Sequence, residues 1–163
     1  MFVSNYAFID SQNLFLSVKK QWRDIDFARL FVFLKHKYRI TKAFLFIWYY
    51  HGNESLYQKL QEAGYVVIFK PTLQLKDGTI KWNVDAELVL HTMIQYSNFD
   101  KAILITWDWD FYCLVEYLKN QDKLEKVLIP NRHKYSQLLR KFKDNLIFLS
   151  DMKLREKLEN KKK

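Results

Sequence analysis

Short apolar runs alternate along the chain with stretches whose apolar residues recur at helical spacing. The runs predict strands, and six of them qualify: Phe2–Ile9, Ala43–Tyr49, Tyr65–Phe69, Ala102–Ile105, Val127–Ile129 and Leu146–Leu149. The intervening stretches predict a short helical turn over Asn13–Lys20 and helices over Phe27–Lys37, Asn53–Gly64, Val84–Tyr96, Phe111–Leu118 and Tyr135–Phe142. Strands separated by helices indicate βαβ units, so we predict an α/β fold with a mostly parallel central sheet.

Local signals set the ends of several predicted elements. Asp26 stands where an N-cap residue would begin the helix over Phe27–Lys37, and Gly64 stands where a C′ glycine would end the helix that starts at Asn53. The Asp77-Gly78 pair predicts a tight turn within a small hairpin or ordered loop over Leu73–Lys81. Cys113 is predicted to lie on the apolar side of its helix, in the core.

The stretch Lys101–Leu118 contains two aspartates where a buried strand passes into a helix. Asp108 and Asp110 stand at this join, which in a parallel sheet lies at the carboxyl edge, where open α/β sheets bind ligands. One of the two aspartates is explained if it caps the following helix. A single cap requires a single aspartate, however, so the second one indicates a further role.

Two more aspartates occupy comparable places. Asp10 follows the first predicted strand, and Asp85 opens the helix after the predicted hairpin. Strand ends of a parallel sheet converge on one edge, so Asp10, Asp85, Asp108 and Asp110 are predicted to share a cleft. Clustered carboxylates repel one another, and a hard divalent cation such as Mg²⁺ or Mn²⁺ removes that penalty. Asn13 could orient a carboxylate or a water there. Capping remains the alternative for Asp10 and Asp85 taken singly.

Hydrophobic content, net charge and cysteine count limit the classes of protein to which the chain can belong. The 163 residues are 49% hydrophobic and carry a net charge of +9, which favours one folded domain and a polyanionic partner, nucleic acid before membrane. No apolar run reaches the roughly 18 residues of a membrane span, and no basic stretch precedes an apolar one at the N-terminus. A single cysteine fits a reducing cytoplasm. Residues 151–163 are predicted to form a charged C-terminal helix and tail.

Other enzyme classes lack their signatures. The four histidines are far apart and lack the spacing of zinc ligands, namely His36, His51, His91 and His133. The chain has no glycine-rich dinucleotide or Walker motif and no serine in a nucleophile-elbow context.

Three motifs together resemble a known family. The motifs FIDxxN over 8–13, KxxVD over 81–85 and DxDF over 108–111 resemble the NYN domain, in its LabA-like branch within the PIN-like nuclease superfamily. The likeness extends from Phe2 to Leu149, which places the domain at 1–150. It implies a PIN-like three-layer sandwich and metal-dependent cleavage of RNA. It also implies an acidic site, with Lys81 as a phosphate contact. The site consists of Asp10, Asn13, Asp85, Asp108 and Asp110, of which the four aspartates bind the metal.

The sequence therefore predicts a ribonuclease that uses Mg²⁺ or Mn²⁺ and hydrolyses RNA phosphodiester bonds. Arg132 and Lys134, with Arg140 and Lys141, follow the fifth predicted strand and could bind backbone phosphates, or could form only a solvated basic face. Two alternatives stay open: a catalytically impaired module that binds RNA or protein, and a hydrolase of small phosphoesters. RNA is the expected partner, no membrane is expected, and a homodimer is left open.

Tryptophan stands where the family pattern has glycine. The three positions are Trp82, Trp107 and Trp109. The whole chain has five Trp and three Gly, whereas ordinary usage would give roughly 11 Gly. Some genetic codes read UGA as Trp and others read it as Gly. We therefore predict that these three residues, with Trp22 and Trp48, correspond to UGA codons read as glycine in the source organism.

Overall fold

A six-stranded parallel sheet forms the centre of the domain. The computed structural model describes residues 3–11, 25–70, 73–74, 80–81, 85–106, 108–132, 135–151 and 158, with the backbone alone at 73–74, 80–81, 85 and 109. The strands of this sheet are β1 (Asn5–Asp10), β2 (Ile40–Trp48), β3 (Tyr65–Lys70), β6 (Ala102–Ile105), β7 (Leu124–Ile129) and β8 (Leu146–Phe148). Their order is β3-β2-β1-β6-β7-β8, and every neighbouring pair is parallel. The predicted parallel sheet is confirmed.

Of the two structures predicted over Leu73–Lys81, a hairpin or an ordered loop, the structure has the hairpin. Strands β4 (Leu73–Gln74) and β5 (Ile80–Lys81) pair antiparallel and form a separate two-stranded sheet. The Asp77-Gly78 turn lies outside the described residues.

Helices cover both faces of the central sheet. Helices α1 (Phe27–Tyr38) and α2 (Glu54–Glu62) contribute buried side chains to one face. Helices α3 (Asp85–Ile94) and α4 (Tyr112–Asn120) contribute buried side chains to the other face. The result is a three-layer α/β sandwich, as predicted. The helical turn predicted over Asn13–Lys20 lies outside the described residues.

Two apolar cores follow from the alternation of side chains along β1. Ala7 and Ile9 point into the core beneath α1 and α2, whereas Tyr6 and Phe8 point into the core beneath α3 and α4. Each of these four residues is at most 6% exposed. Strand β1 is therefore buried on both faces, and this explains its nearly continuous apolar sequence.

The segment after β7 differs from its prediction. In place of an α-helix over Tyr135–Phe142, the chain forms 3-10 turns within Gln137–Asn145, broken by the non-helical Phe142. The buried residues of this segment, Leu139 and Phe142, lie three positions apart, and that spacing matches the three residues per turn of a 3-10 helix. A second 3-10 turn, Trp109–Phe111, precedes α4.

Cys113 is exposed, so its predicted place in the core is wrong. The buried stripe of this segment runs through Phe111, Leu114, Val115 and Leu118. Cys113 immediately precedes Leu114 and lies off that stripe, because successive helical residues are about 100° apart.

Helix ends follow the predicted signals. The Asp26 carboxylate accepts a hydrogen bond from the Arg29 N–H at 3.1 Å and caps α1. Gly64 follows the C-cap Ala63 of α2 with φ +105°, a conformation that costs other residues strain. The C-terminal segment also contributes to the domain: Leu158 is fully buried, and its carbonyl accepts from the Asp26 N–H at 3.0 Å. The boundary at residue 150 stays a prediction.

We expect Gly64→Ala to destabilise the protein more than Gly52→Ala. Both glycines have positive φ, +105° and +95°, so both alanine variants bear strain of about 1–2 kcal/mol. Only at Gly64 would the new methyl group come within 2.9 Å of the Phe31 ring, and overpacking adds roughly 1–3 kcal/mol. Urea unfolding of the two variants measures the difference. Equal losses would mean that the Phe31 ring moves aside without cost.

Candidate functional site

The sheet has a topological switch point between β1 and β6. From β1 the chain adds β2 and β3 on one side, and the later strands β6, β7 and β8 on the other. At such a point the connections leave in opposite directions, and a crevice opens outside the carboxyl ends of the two strands. Ligands bind in such crevices, so this edge is where the candidate site is expected.

Asp10 is the last residue of β1, and its side chain is buried. It is 2% exposed and lies opposite Phe46 in the register of β1 with β2. Because Phe8 points toward α3 and α4, the side chain two residues later points to the same face. Asp10 therefore belongs to the switch point on the α3 side of the sheet.

The chain after β6 carries the second acidic group. Ile9 pairs with Ile105, so Thr106 continues β6 beside the end of β1. The Asp108 N–H donates to Thr106 Oγ1 at 3.1 Å, and the Asp110 N–H donates to Asp108 Oδ1 at 3.1 Å. Asp108 thus caps the 3-10 turn that follows it. Asp110 is exposed. Its backbone N–H is the donor in that cap and its carboxylate is not the acceptor, so capping does not explain the carboxylate of Asp110.

Helix α3 begins at the same edge. Its first residue is Asp85, which comes after β3 and the hairpin along the chain. From there the helix runs back toward the edge of the sheet where β6 starts. It contacts β1 and the 3-10 turn Trp109–Phe111, and its Leu88 is buried in the core beneath it. The backbone of Asp85 therefore starts a helix next to the switch point. Its side chain lies outside the described part of the structure.

The four-carboxylate metal site stays a prediction. Among the side chains that the structure describes, which leave out that of Asp85, no three His, Cys, Asp or Glu residues are close enough to bind one metal ion. The donor chemistry at this edge nevertheless fits a hard cation. Asp10, Asp108 and Asp110 offer only carboxylate oxygens, the ligands of Mg²⁺ and Mn²⁺ in proteins.

Arg132 is one of the described residues among the predicted phosphate contacts. It follows β7 at the same edge, and its guanidinium lies 4.7 Å from the centre of the Phe148 ring. Its Nη2 is 3.7 Å from Asp151 Oδ1, and its side chain is 57% exposed. A planar cation held on a ring but still open to solvent is suited to phosphate. The side chain of Lys81, and all of Asn13 and Lys134, lie outside the described residues.

Lys141 has a structural partner. Its Nζ donates to Glu116 Oε1 at 2.7 Å and to Tyr112 Oη at 3.0 Å, and these contacts link α4 to the 3-10 turns after β7. The hydrogen bond from Lys141 lowers the pKa of Glu116 below its usual range. These contacts give Lys141 a structural role that requires no contact with a phosphate.

Four buried polar residues at this edge were missed from the sequence. Ser11 follows β1 at 0% exposure, Lys70 ends β3 at 1%, Thr106 follows β6 at 1%, and Asn131 follows β7 at 2%. Each stands at the end of an apolar run that the sequence marks as a strand. A polar residue in that position is the signal that could have identified them.

Comparison with known proteins identifies the family of the chain. The model of the NYN domain matches residues 6–150. The chain belongs to the NYN domain family. NYN domains fall within the PIN-like nuclease superfamily and are generally nucleases that use divalent metals and bind RNA. None of the curated proteins matches the chain.

A solved structure has the same fold. It is the crystal structure of a protein of unknown function from Vibrio parahaemolyticus, with a TM-score of 0.78 and 21% identity over 97% of this NYN chain and 96% of that one. At this identity the likeness shows the fold alone. Within the described residues, no helix has the length and apolar character needed to cross a membrane.

Proposed function

We propose that this NYN domain is a metal-dependent ribonuclease whose acidic site is the crevice between β1 and β6. The observation that carries the proposal is the place of Asp10, Asp108 and Asp110. Asp10 ends β1, and Asp108 and Asp110 follow β6, so they mark the two strands that flank the switch point of the sheet. The domain belongs to a family of a nuclease superfamily. The three sequence motifs favour the LabA-like branch of the family, and the single cysteine favours a cytoplasmic protein.

The candidate metal ligands lie in different environments, and these suit them to different roles. Asp10 is buried at the end of the central strand, so it is the most rigidly placed of the candidate ligands. Asp108 is fixed by the two hydrogen bonds around its cap. Exposed Asp110 faces solvent, where it can meet a substrate or accept a proton from water, and Asp85 would complete the set. A divalent cation bound there would neutralise charge on the scissile phosphate and lower the pKa of a bound water.

RNA is the substrate best matched to the charge of the chain. The net charge of +9 favours a polyanion, and Arg132 stands beside the acidic edge with its guanidinium open to solvent. Phosphate contacts of this kind hold the backbone of the nucleic acid without reading its sequence.

The test is cleavage of a labelled single-stranded RNA with Mn²⁺, with Mg²⁺ and with excess EDTA. We expect product only with a divalent ion, and a loss of at least about tenfold in Asp110→Asn, which removes a charged ligand at an exposed position. Asp122→Asn is the matched control. Its side chain is 92% exposed and paired with Lys101 before β7, at the opposite edge of the sheet. Cleavage in EDTA, or equal activity of the Asp110 variant, would contradict the proposal.

The same assay separates the alternatives. Binding of RNA without cleavage under every metal condition would favour a binding module, which the tryptophans at family glycine positions would explain. Faster hydrolysis of a small aryl phosphodiester than of RNA would favour a phosphoesterase.

RNA binding should weaken steeply as salt rises. Each phosphate neutralised by Lys or Arg releases counterions, and six or more contacts lower the affinity roughly 1,000-fold between about 50 and 200 mM salt. Fluorescence anisotropy with a labelled RNA in EDTA measures this slope. An affinity independent of salt would point to a protein or small-molecule partner.

A further inference from the structure

Exposed aromatic side chains gather at the carboxyl edge of strands β2 and β3. Of the aromatic residues whose side chains are described, four are exposed, and three of these stand at this edge. Tyr49 and Tyr50 follow the end of β2 and are 46% and 43% exposed, and Phe69 is 40% exposed one residue before the end of β3. Single exposed rings are common on protein surfaces, whereas a contiguous group of them is typical of a binding surface.

The rings of Tyr49 and Phe69 are in contact with each other and with Tyr57. The centres of the Tyr49 and Phe69 rings are 5.7 Å apart, at an interplanar angle of 85°. Tyr57 of α2 is only 5% exposed, and its ring centre lies 5.6 Å from that of Tyr49 and 4.8 Å from that of Phe69. Burial in the core therefore explains the position of Tyr57, but it does not explain the exposed rings of Tyr49 and Phe69.

Hydrogen bonds hold the Tyr49 ring in place. The Tyr57 hydroxyl accepts from the Tyr50 N–H at 2.7 Å and lies 3.2 Å from the carbonyl oxygens of Trp48 and Tyr50. These contacts fix the backbone on both sides of Tyr49, whose own hydroxyl donates to Glu54 Oε1 at 3.3 Å. A ring that is already fixed loses little conformational freedom when a ligand stacks on it.

The aromatic group and the acidic crevice belong to the same edge of the sheet. Strand β2 lies between β3 and β1, and Phe46, three residues before Tyr49, pairs with Asp10 at the end of β1. Neighbouring strands are about 4.8 Å apart. Arg132 follows β7, which is two strands from β1 on the other side. The aromatic group and Arg132 therefore stand on opposite sides of the crevice, within the reach of a few nucleotides.

The aromatic group and Asp10 lie on different faces of the sheet. Tyr57, which contacts both exposed rings, is buried in the core beneath α1 and α2, whereas Asp10 points toward α3. A strand of RNA that reaches both must pass over the ends of β2 and β1. Bases bound at the aromatic group are therefore separate from those beside the bond that is cleaved.

Exposed rings offer a nucleic acid a surface on which its bases can stack. Every base has a π-face, so an aromatic side chain binds it with little regard to sequence. Bases of a single strand can be splayed out onto such rings, and recognition of RNA commonly uses this arrangement. The net charge of +9 attracts the phosphates, and the rings at the end of β2 and β3 are suited to the bases.

We propose that Tyr49 and Phe69 form a stacking site for the bases of single-stranded RNA, on the side of the acidic crevice opposite Arg132. The identity of the ligand rests on the proposed function, but binding at this site requires neither metal nor cleavage. The site favours single strands over duplexes of the same length, because the bases of a duplex are already stacked on one another.

Fluorescence anisotropy in EDTA with a labelled single-stranded RNA tests the site. Tyr49→Leu and Phe69→Leu keep an apolar side chain but remove the ring, and each should weaken binding roughly 5- to 150-fold. Tyr49→Phe keeps the ring and should bind as the wild type does. The matched control is Tyr117→Leu, which removes a ring that is 43% exposed on α4 and should leave the affinity unchanged.

An abasic oligomer of the same length separates stacking from phosphate contacts. It retains the phosphates and lacks the bases, so Tyr49→Leu should not weaken its binding. With the complete RNA, Tyr49→Leu should leave the dependence of affinity on salt unchanged, whereas Arg132→Gln should reduce the slope by about 1.

Two results would overturn the stacking site: wild-type affinity of both leucine variants for RNA, or an equal loss of affinity for RNA and for the abasic oligomer. Melting temperatures show whether each variant is folded, and Phe69→Leu carries the test if Tyr49→Leu is not. A protein that binds RNA through these rings but does not cleave it would contradict only the proposed function. Metal-dependent cleavage by a protein whose leucine variants bind RNA normally would overturn only the stacking site, and a wild type that binds no RNA would contradict both.

Discussion

Asp108→Asn is expected to abolish RNA cleavage while leaving the fold intact. The asparagine amide retains an oxygen that can accept the Asp110 N–H, which now donates to Asp108 Oδ1 at 3.1 Å. It removes the negative charge that a divalent cation requires. Loss of a directly coordinating group should cost at least roughly 100-fold in cleavage rate, since even outer-shell partners cost 10- to 100-fold. Cleavage rates with Mn²⁺, together with the melting temperature in EDTA, measure the two effects.

The variant Asp108→Ala distinguishes the capping role of Asp108 from its proposed role as a metal ligand. This variant loses the charge and the cap, so it should be as inactive as Asp108→Asn but less stable by about 1 kcal/mol. Wild-type activity in Asp108→Asn would show that Asp108 only caps the 3-10 turn. An unstable asparagine variant would show that the carboxylate charge itself supports the fold.

The variant Trp82→Gly/Trp107→Gly/Trp109→Gly is expected to cleave RNA far faster than the sequence as printed. Trp107 immediately precedes Asp108, and Trp109 opens the 3-10 turn between Asp108 and Asp110. Glycine allows the backbone to turn sharply and to approach a phosphate closely, whereas the large indole of tryptophan next to Asp108 in the sequence is expected to leave less room for a phosphate. We expect a gain of at least roughly tenfold in cleavage rate, which corresponds to about 1.4 kcal/mol of transition-state stabilisation.

Two controls decide what the gain means. The same triple variant with Asp108→Asn should be inactive, which would assign the new activity to the acidic site. The coding DNA gives an independent answer, because UGA at all five Trp positions in an organism that reads UGA as glycine would confirm the prediction. UGG codons would refute it, and the non-catalytic binding module would then become the leading interpretation.

The strands were predictable because burial on both faces makes their sequences apolar. The run Ala102–Ile105 became β6 with the same bounds, and the run Ala43–Tyr49 became β2, which starts three residues earlier and ends one residue earlier. The sequence could not give the order of the strands. That order depends on which helix packs on which face, and it is what places Asp10 beside the chain that follows β6.

The missed features have physical causes. Lys70 is a charged residue in a buried position, and residue type alone predicts exposure. The 3-10 turns over Gln137–Asn145 carry apolar residues three positions apart, a spacing that also fits one face of an α-helix. The sequence left a cap and a ligand open for Asp108. The structure shows the cap, and the role as a ligand stays a prediction.

The central place of β1 delays assembly of the site during synthesis. Strand β1 pairs with β6, whose residues come almost a hundred positions later; the nearby bond from the Ser4 N–H to Asp100 spans 96 residues. Contacts of such long range form slowly, because the loop between them must close first. A ribosome that has made the first hundred residues therefore exposes Asp10 without Asp108 or Asp110. A nascent chain of this NYN domain would lack the proposed acidic site until most of the domain has emerged.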